Sequence, residues 1–201
     1  MMPLGMLASA RVAGTPAIGG VVSSATGTVS LTAVPVGGWM LATLIGESTP
    51  PATPSGWTSL ATGDSAWRIV GKIKAAESSL SVPGTANDLI SVMWGTGSAA
   101  ASSWRAGAVG TEGSMSVSLT GATAGSLLVG AEPIQATWLA AGDVSYGGAV
   151  GFHSRSTSAA SGIYAHVWLS GTAAGGTATA TRSSIYIANL YSWVLVEISG
   201  I

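Results

Sequence analysis

Apolar and polar positions alternate every second residue through much of this chain. From Trp67 to Ala75, the residues Trp67, Ile69, Gly71, Ile73 and Ala75 fall on one face, and Arg68, Val70, Lys72 and Lys74 on the other. That is the period of a half-buried antiparallel strand. Val29, Leu31 and Ala33 alternate in the same way against Thr28, Ser30 and Thr32. Met115, Val117 and Leu119 alternate against Ser114, Ser116 and Ser118. Ile163, Ala165, Val167 and Leu169 alternate against Tyr164, His166 and Trp168. Trp39 to Ile45 is apolar on both faces, which predicts a central strand covered on both sides. The loop after it carries Pro50, Pro51 and Pro54, which disfavour regular pairing. Trp57, at its end, is expected to pack over a sheet edge or the end of the core.

Further strands are predicted near Leu80–Val82, Asp88–Trp94, Trp104–Val109, Ser126–Ala131, Gly148–Ser156, within Gly171–Thr181, and at Ser184–Leu190 and Trp193–Ile198. No segment keeps a helical period over 11 or more residues. Roughly ten to twelve short strands separated by Gly, Pro, Ser and Thr turns indicate a sandwich. The second half echoes the first. Ser126–Ala131 corresponds to Trp39–Ile45, Trp138 before Gly142-Asp143 to Trp57 before Gly63-Asp64, and Gly148–Ser156 to Trp67–Ala75. Two such halves suit a double Greek-key sandwich, the jelly roll. The expected architecture is all-β: an antiparallel, jelly-roll-like sandwich over residues 27–201, preceded by an extended arm over residues 1–26.

Composition changes the picture in one respect. Charged residues make up only 7% of the 201, against about 25% in an ordinary soluble domain. A weakly charged surface tends to associate, so much of the exterior is expected to meet other subunits; the alternative is a compact β-protein with a Ser/Thr surface. The net charge is −1, and Lys72 and Lys74 form the densest basic spot. Phosphate neutralisation needs a basic patch, so nucleic acid is not an expected partner. The mean hydropathy of +0.51 comes from many short strands, and no run reaches the about 20 apolar residues of a spanning helix. Membrane insertion is therefore not expected. Cysteine is absent, which excludes disulfides, thiolate zinc sites and Cys nucleophiles. The N-terminus has no basic n-region and is interrupted by Pro3 and Arg11, unlike a signal peptide.

One combination of motifs points further. An apolar strand follows Val-Pro-Val-Gly (Val34 to Gly37). Pro-Ser-Gly-Trp-Thr (Pro54 to Thr58) comes next, and then a strand ending Lys-Ile-Lys-Ala-Ala (Lys72 to Ala76). The chain closes on Ser-Trp-Val-Leu-Val-Glu-Ile (Ser192 to Ile198). Over about residues 27–200 this resembles β-sandwich virion proteins encoded in the tail-gene regions of bacteriophages that infect actinobacteria, usually called minor tail proteins. The resemblance implies a non-enzymatic structural protein of the virion. Its partners would be other virion proteins and copies of itself. It implies no cofactor and no catalytic motif, and it transfers no site residue.

The residues themselves offer little chemistry. His153 and His166 are the only histidines, and neither has a partner at metal-ligand spacing. No Gly-x-Ser-x-Gly elbow or phosphate loop before a helix is present. Of eight carboxylates, Glu132 and Asp143 could flank one loop end, but a glycosidase needs two across one cleft; turn and strand-end roles are the alternative. Aromatic side chains are the richest signal, with eight Trp against one Phe. Trp104, Trp138, Tyr146 and Trp168 border loops or polar faces and are the candidate contacts for a host-surface glycan; core and interface packing is the alternative. Three functions stay open: a minor tail protein, a head decoration protein on the capsid, and a glycan-binding adhesin module.

Overall fold

The computed structural model describes residues 16–46, 49–63, 67–82, 89–98, 101–111, 114–135, 144–147, 153–158, 163–184 and 192–200. Its strands run in order as β1 (Ala17–Ser24), β2 (Thr28–Ser30), β3 (Trp39–Ile45), β4 (Thr58–Thr62), β5 (Trp67–Ile73), β6 (Ser79–Ser81) and β7 (Leu89–Thr96). A 3-10 turn at Ala101–Ser103 leads into β8 (Arg105–Ala106), β9 (Ser116–Ala122), β10 (Leu127–Gln135), β11 (Val144–Gly147), β12 (His153–Ser158), β13 (Ile163–Thr172), β14 (Gly176–Ser184) and β15 (Val194–Ile198). Among the described residues there is no α-helix, and every strand pairing is antiparallel.

The strands form four layers. A five-stranded sheet has the order β1-β7-β3-β5-β4, and a second has β12-β13-β10-β15-β8. Two smaller sheets, β2-β6 and β11-β14-β9, complete the set. The large sheets face each other across a central core that includes Trp39, Leu41, Trp67 and Ile69 from one and Val129, Ala131, Val167 and Val196 from the other. The back of the first large sheet (Met40, Ala42, Leu44, Val70) packs on Val29, Leu31, Leu80 and Val82 around the β2-β6 pair. The back of the second (Leu128, Trp168, Leu195) packs on Val117, Leu119 and Ala180 of β9 and β14. Each half of the chain is thus a small sandwich, and the two are stacked. This explains why Trp39–Ile45 is apolar on both faces: it is the middle strand of a sheet covered on both sides, and all seven residues are buried.

The two halves share one plan. Reading the second large sheet as β8-β15-β10-β13-β12 matches β1-β7-β3-β5-β4 strand for strand, and the β9-β14 pair matches β2-β6. The backbone agrees in detail. The Gly37 N–H bonds the Lys74 carbonyl and the Lys74 N–H bonds that of Gly38, each at 2.8 Å. In the second half Gly125 N–H bonds the Ala173 carbonyl (2.9 Å) and Ala173 N–H bonds that of Ser126 (2.8 Å). Gly37 and Gly125 both hold the left-handed conformation this turn needs, with φ of 81° and 87°. Across the stack β1 lies against β12 and β8 against β4, with β3 facing β10, as a two-fold relation between the halves requires. Among the described strands, β11 alone has no counterpart.

This order departs from the jelly-roll expectation, in which strands from both halves are shared between two sheets. Here each sheet is built from one half. The expected arm over residues 1–26 also ends differently. Residues 1–15 lie outside the described residues, while 17–24 form β1, an edge strand on β7. A register shift between Ile18 and Gly20 breaks the alternation and hides the strand from a period count. The echo is displaced by one strand as well: β12 stands where β4 does and β13 where β5 does, because β11 is inserted ahead of them. The part of the predicted Ser184–Leu190 strand from 185 onward lies outside the described residues.

Tryptophans and glycines are placed together. A Cβ on Gly95 would sit 2.6 Å from the Trp39 ring, and one on Gly130 would sit 2.1 Å from Trp168. Each glycine is the cross-strand partner of that tryptophan. An indole laid flat over the neighbouring strand fits only where that strand has no side chain. In the central core Trp39 Nε1–H donates to the carbonyls of Ala17 (3.2 Å) and Thr96 (3.1 Å). Trp67 Nε1–H donates to Ser192 Oγ at 3.0 Å, joining the two halves.

Candidate functional site

Among the described residues, the second sandwich contains a feature that the first lacks. Glu132, on β10, points from the back of its sheet into the outer core and is fully buried. Its strand partner across the ladder is His166 on β13, also buried. Arg182, on β14, faces them and pairs through Nη1 with Glu132 Oε1. Tyr146, on β11, reaches in from the same small sheet. Its hydroxyl lies 2.5 Å from Glu132 Oε2 and 2.6 Å from His166 Nδ1.

The cluster is packed between aromatics. The Tyr146 ring stacks on Trp168 with centroids 3.7 Å apart. The Arg182 guanidinium stands 5.0 Å from the Trp193 ring centroid, at the distance of a cation–π contact. Its Nε–H donates to the Ser114 carbonyl (2.9 Å) and its Nη2–H to that of Thr111 (3.3 Å). Burial pushes the Glu132 carboxyl up to about 7, against the opposing pull of the Arg182 charge and the Tyr146 hydroxyl. Burial likewise lowers Arg182 from its ordinary value, with the Glu132 charge opposing.

Sheet pairing shows what the cluster replaces. Leu44↔Arg68 in the first half corresponds to Glu132↔His166 in the second. Val82 N–H bonds the Gly27 carbonyl as Arg182 N–H bonds that of Met115, so Arg182 stands where Val82 does. Leu44 and Val82 belong to an apolar cluster. Arg68 turns away from it toward β4 and the proline loop, donating to the Pro51 carbonyl at 2.7 Å and to Ser59 Oγ at 3.0 Å.

The predicted contact residues are scattered. Trp104 is buried in the central core, edge-on to Trp39 at 6.4 Å, with its N–H donating to Ser98 Oγ (2.8 Å). Trp168 is fully buried. Neither presents a face on which a sugar could stack, because both indoles fill interior space over strand glycines. Tyr146 is half-buried and committed to the cluster. Trp138 and Asp143 lie outside the described residues. Sequence patterns do not single out Glu132, His166 and Arg182 as a set. The available signal is parity: Glu132 continues the face of Leu128 and Gly130, and His166 that of Trp168, so two ionisable groups stand on buried strand faces.

The other charges are engaged in ways that fasten loops. Glu197 accepts from the Thr123 N–H (2.7 Å) and pairs with Arg105 at 2.6 Å. Burial raises its pKa, but these hydrogen bonds outweigh that and hold it below the ordinary carboxylate value. Buried Lys74 donates to the carbonyls of Leu31 (2.6 Å) and Val34 (2.5 Å). Among the described residues no three His, Cys, Asp or Glu side chains converge as metal ligands, and no helix is long and apolar enough to cross a membrane.

Fold and cluster together define an all-β protein of two stacked, duplicated sandwiches, one of which encloses a buried ion pair. Comparison with protein families, curated proteins and solved structures finds no match.

Proposed function

We propose that the chain is a non-enzymatic structural protein of a bacteriophage virion. In this reading it is a minor tail protein, present in several copies, that assembles through weakly charged faces. The observation that carries the proposal is where the charges go. Arg68, Lys72, Lys74, Arg105 and Arg182 each bond a carboxylate or carbonyl of the same chain. The described exterior is left largely to hydroxyls, with exposed cross-strand pairs at Thr28–Ser81, Ser118–Thr179 and Ser145–Ser183. Such a surface meets another protein with little desolvation of charge. The motifs from Val34 to Ala76 and from Ser192 to Ile198 add the resemblance to tail-region virion proteins.

The buried positions of Trp104 and Trp168 take two of four residues from the glycan-binding alternative. The test is a cryo-EM map of the phage particle that carries the chain. Density on the tail is the expected result. Density on the capsid capsomers would replace the tail reading with head decoration. A particle without the chain would overturn both, and a soluble protein whose tryptophan fluorescence responds to host glycan would then support the adhesin reading.

A further inference from the structure

We propose that Tyr146, Glu132 and His166, anchored by Arg182, form a proton-dependent latch that holds β11 onto the second sandwich. The fold does not need such a latch to close. Among the described residues, the first sandwich has no strand in the place of β11, and it fills the equivalent interior with Leu44 and Val82. Among the described residues, β11 is joined to the rest by its ladder with β14 and by the Tyr146 side chain.

The chemistry lies in one shared proton. The Tyr146 hydroxyl sits 2.5 Å from Glu132 Oε2 and 2.6 Å from His166 Nδ1, yet it can donate to only one of them. With Glu132 ionised, the hydroxyl donates to the carboxylate and its oxygen accepts from Nδ1–H. With Glu132 protonated, the carboxyl O–H donates to the phenol oxygen and the hydroxyl donates to Nδ1. Both arrangements satisfy the two contacts that join the three groups. With a neutral imidazole in each, they differ by one proton on the carboxyl and by the tautomer of His166.

The direction of the switch follows from solvation. Lifting β11 removes the Tyr146 hydroxyl and ring and admits water to Glu132. That relieves the burial that raises its carboxyl to about 7, the largest of the causes acting on it, so its affinity for a proton falls. The closed latch therefore binds a proton that the open one has lost. It is tightest in acid and loosens as pH rises toward about 7. The groups facing Glu132 are Arg182 from β14, Tyr146 from β11 and His166 from β13. Trp193, just ahead of β15, and Val117 and Leu119 of β9 also line this core, and none of them titrates. Glu197 lies at the far end of β15, paired with Arg105. On β12, Arg155 is the register partner of His166.

Hydrogen exchange on the full chain tests the latch, with the β3–β7 ladder as internal control. After correction for intrinsic exchange, protection of the β11–β14 amides should fall between about pH 5 and pH 8, by about tenfold for each unit that opening takes from the Glu132 carboxyl, while the control changes little. Glu132→Gln, which mimics the protonated carboxyl, should abolish that dependence. Tyr146→Phe keeps the ring stack and should leave β11 weakly protected throughout. Should either variant fail to fold, NMR of labelled histidine in the wild-type chain gives a separate reading: the His166 tautomer should change with the same midpoint as β11 protection. Constant β11 protection, an unchanged pH dependence in Glu132→Gln, or a His166 tautomer constant across the range would each overturn the proposal.

Discussion

Where the first half buries Leu44 and Val82 in one apolar cluster, the second pairs Glu132 with Arg182, at the same positions of the same strands. One plan therefore tolerates two interiors. The apolar version gains its stability from area removed from water, about 1.5–3 kcal/mol for each large aliphatic side chain. The charged version must first desolvate two ions, and recovers that cost only because every polar atom named in the cluster is bonded. It is accompanied by an added strand and by Trp168 and Trp193, which stand where Val70 and Ile90 stand in the first half. The duplicated fold, then, does not depend on the ion pair. A buried pair that the fold can do without leaves room for specificity or regulation.

Substitutions from either side test this contrast. The largest effect is expected from Val92→Glu, which puts a carboxylate into the first interior, where its cross-strand neighbours are Ala42 and Val22. A loss of about 5 kcal/mol or more should appear as failure to unfold cooperatively in a denaturant titration. Arg182→Val gives the second half the residue of the first but strands Glu132. It should cost about 3–5 kcal/mol by the same measurement.

The pH dependence is next in size. A carboxyl raised to about 7 in the folded chain, against 4.5 when solvated, contributes stability that is full below about pH 4.5. That stability is lost as pH rises through about 7, by as much as ~3 kcal/mol. Thermal or chemical unfolding of wild type against Glu132→Gln across this window should show the loss only in wild type. Glu197, whose carboxyl is depressed, acts with the opposite sign: its contribution is present above about pH 4.5 and lost below it. Its presence makes the variant comparison the decisive one.

Replacing both partners, Glu132→Leu with Arg182→Val, copies the first interior into the second. The double variant should lie within about 2 kcal/mol of wild type, well above Arg182→Val alone. If the double variant is as unstable as that single one, the two halves are not interchangeable at these positions. The smallest effect is expected at the Lys72–Glu77 pair, whose side chains are about a fifth exposed. Lys72→Ala should change stability by under about 1 kcal/mol.

Much of this architecture is legible in the chain itself. The alternation of Trp67 to Ala75 marks the faces of β5, and the doubly apolar run from Trp39 to Ile45 marks the middle strand of its sheet. The faces of β13 follow from Ala165 and Val167 against His166 and Trp168. The repeat is visible at Ser126–Ala131 and then slips by one strand, since the insertion of β11 lengthens the second half where the pattern is weakest. β1 escapes the pattern because its bulge interrupts the period. The buried cluster escapes it for a different reason. Arg182 is 50 residues from Glu132 along the chain, and nothing local to Glu132 announces that a cation will be opposite.

The class of fold, most of the longer strands and their apolar sides were decided within the chain's own order of residues. Those properties are local, set by the two-residue period of an extended chain and by Gly and Pro at the turns. Folding in three dimensions settled which sheets those strands join, that two sandwiches stack through their larger sheets, and that Glu132, His166, Tyr146 and Arg182 meet. These outcomes depend on contacts between residues far apart in the chain, where burial makes an unpaired charge too costly to keep and a paired one tolerable.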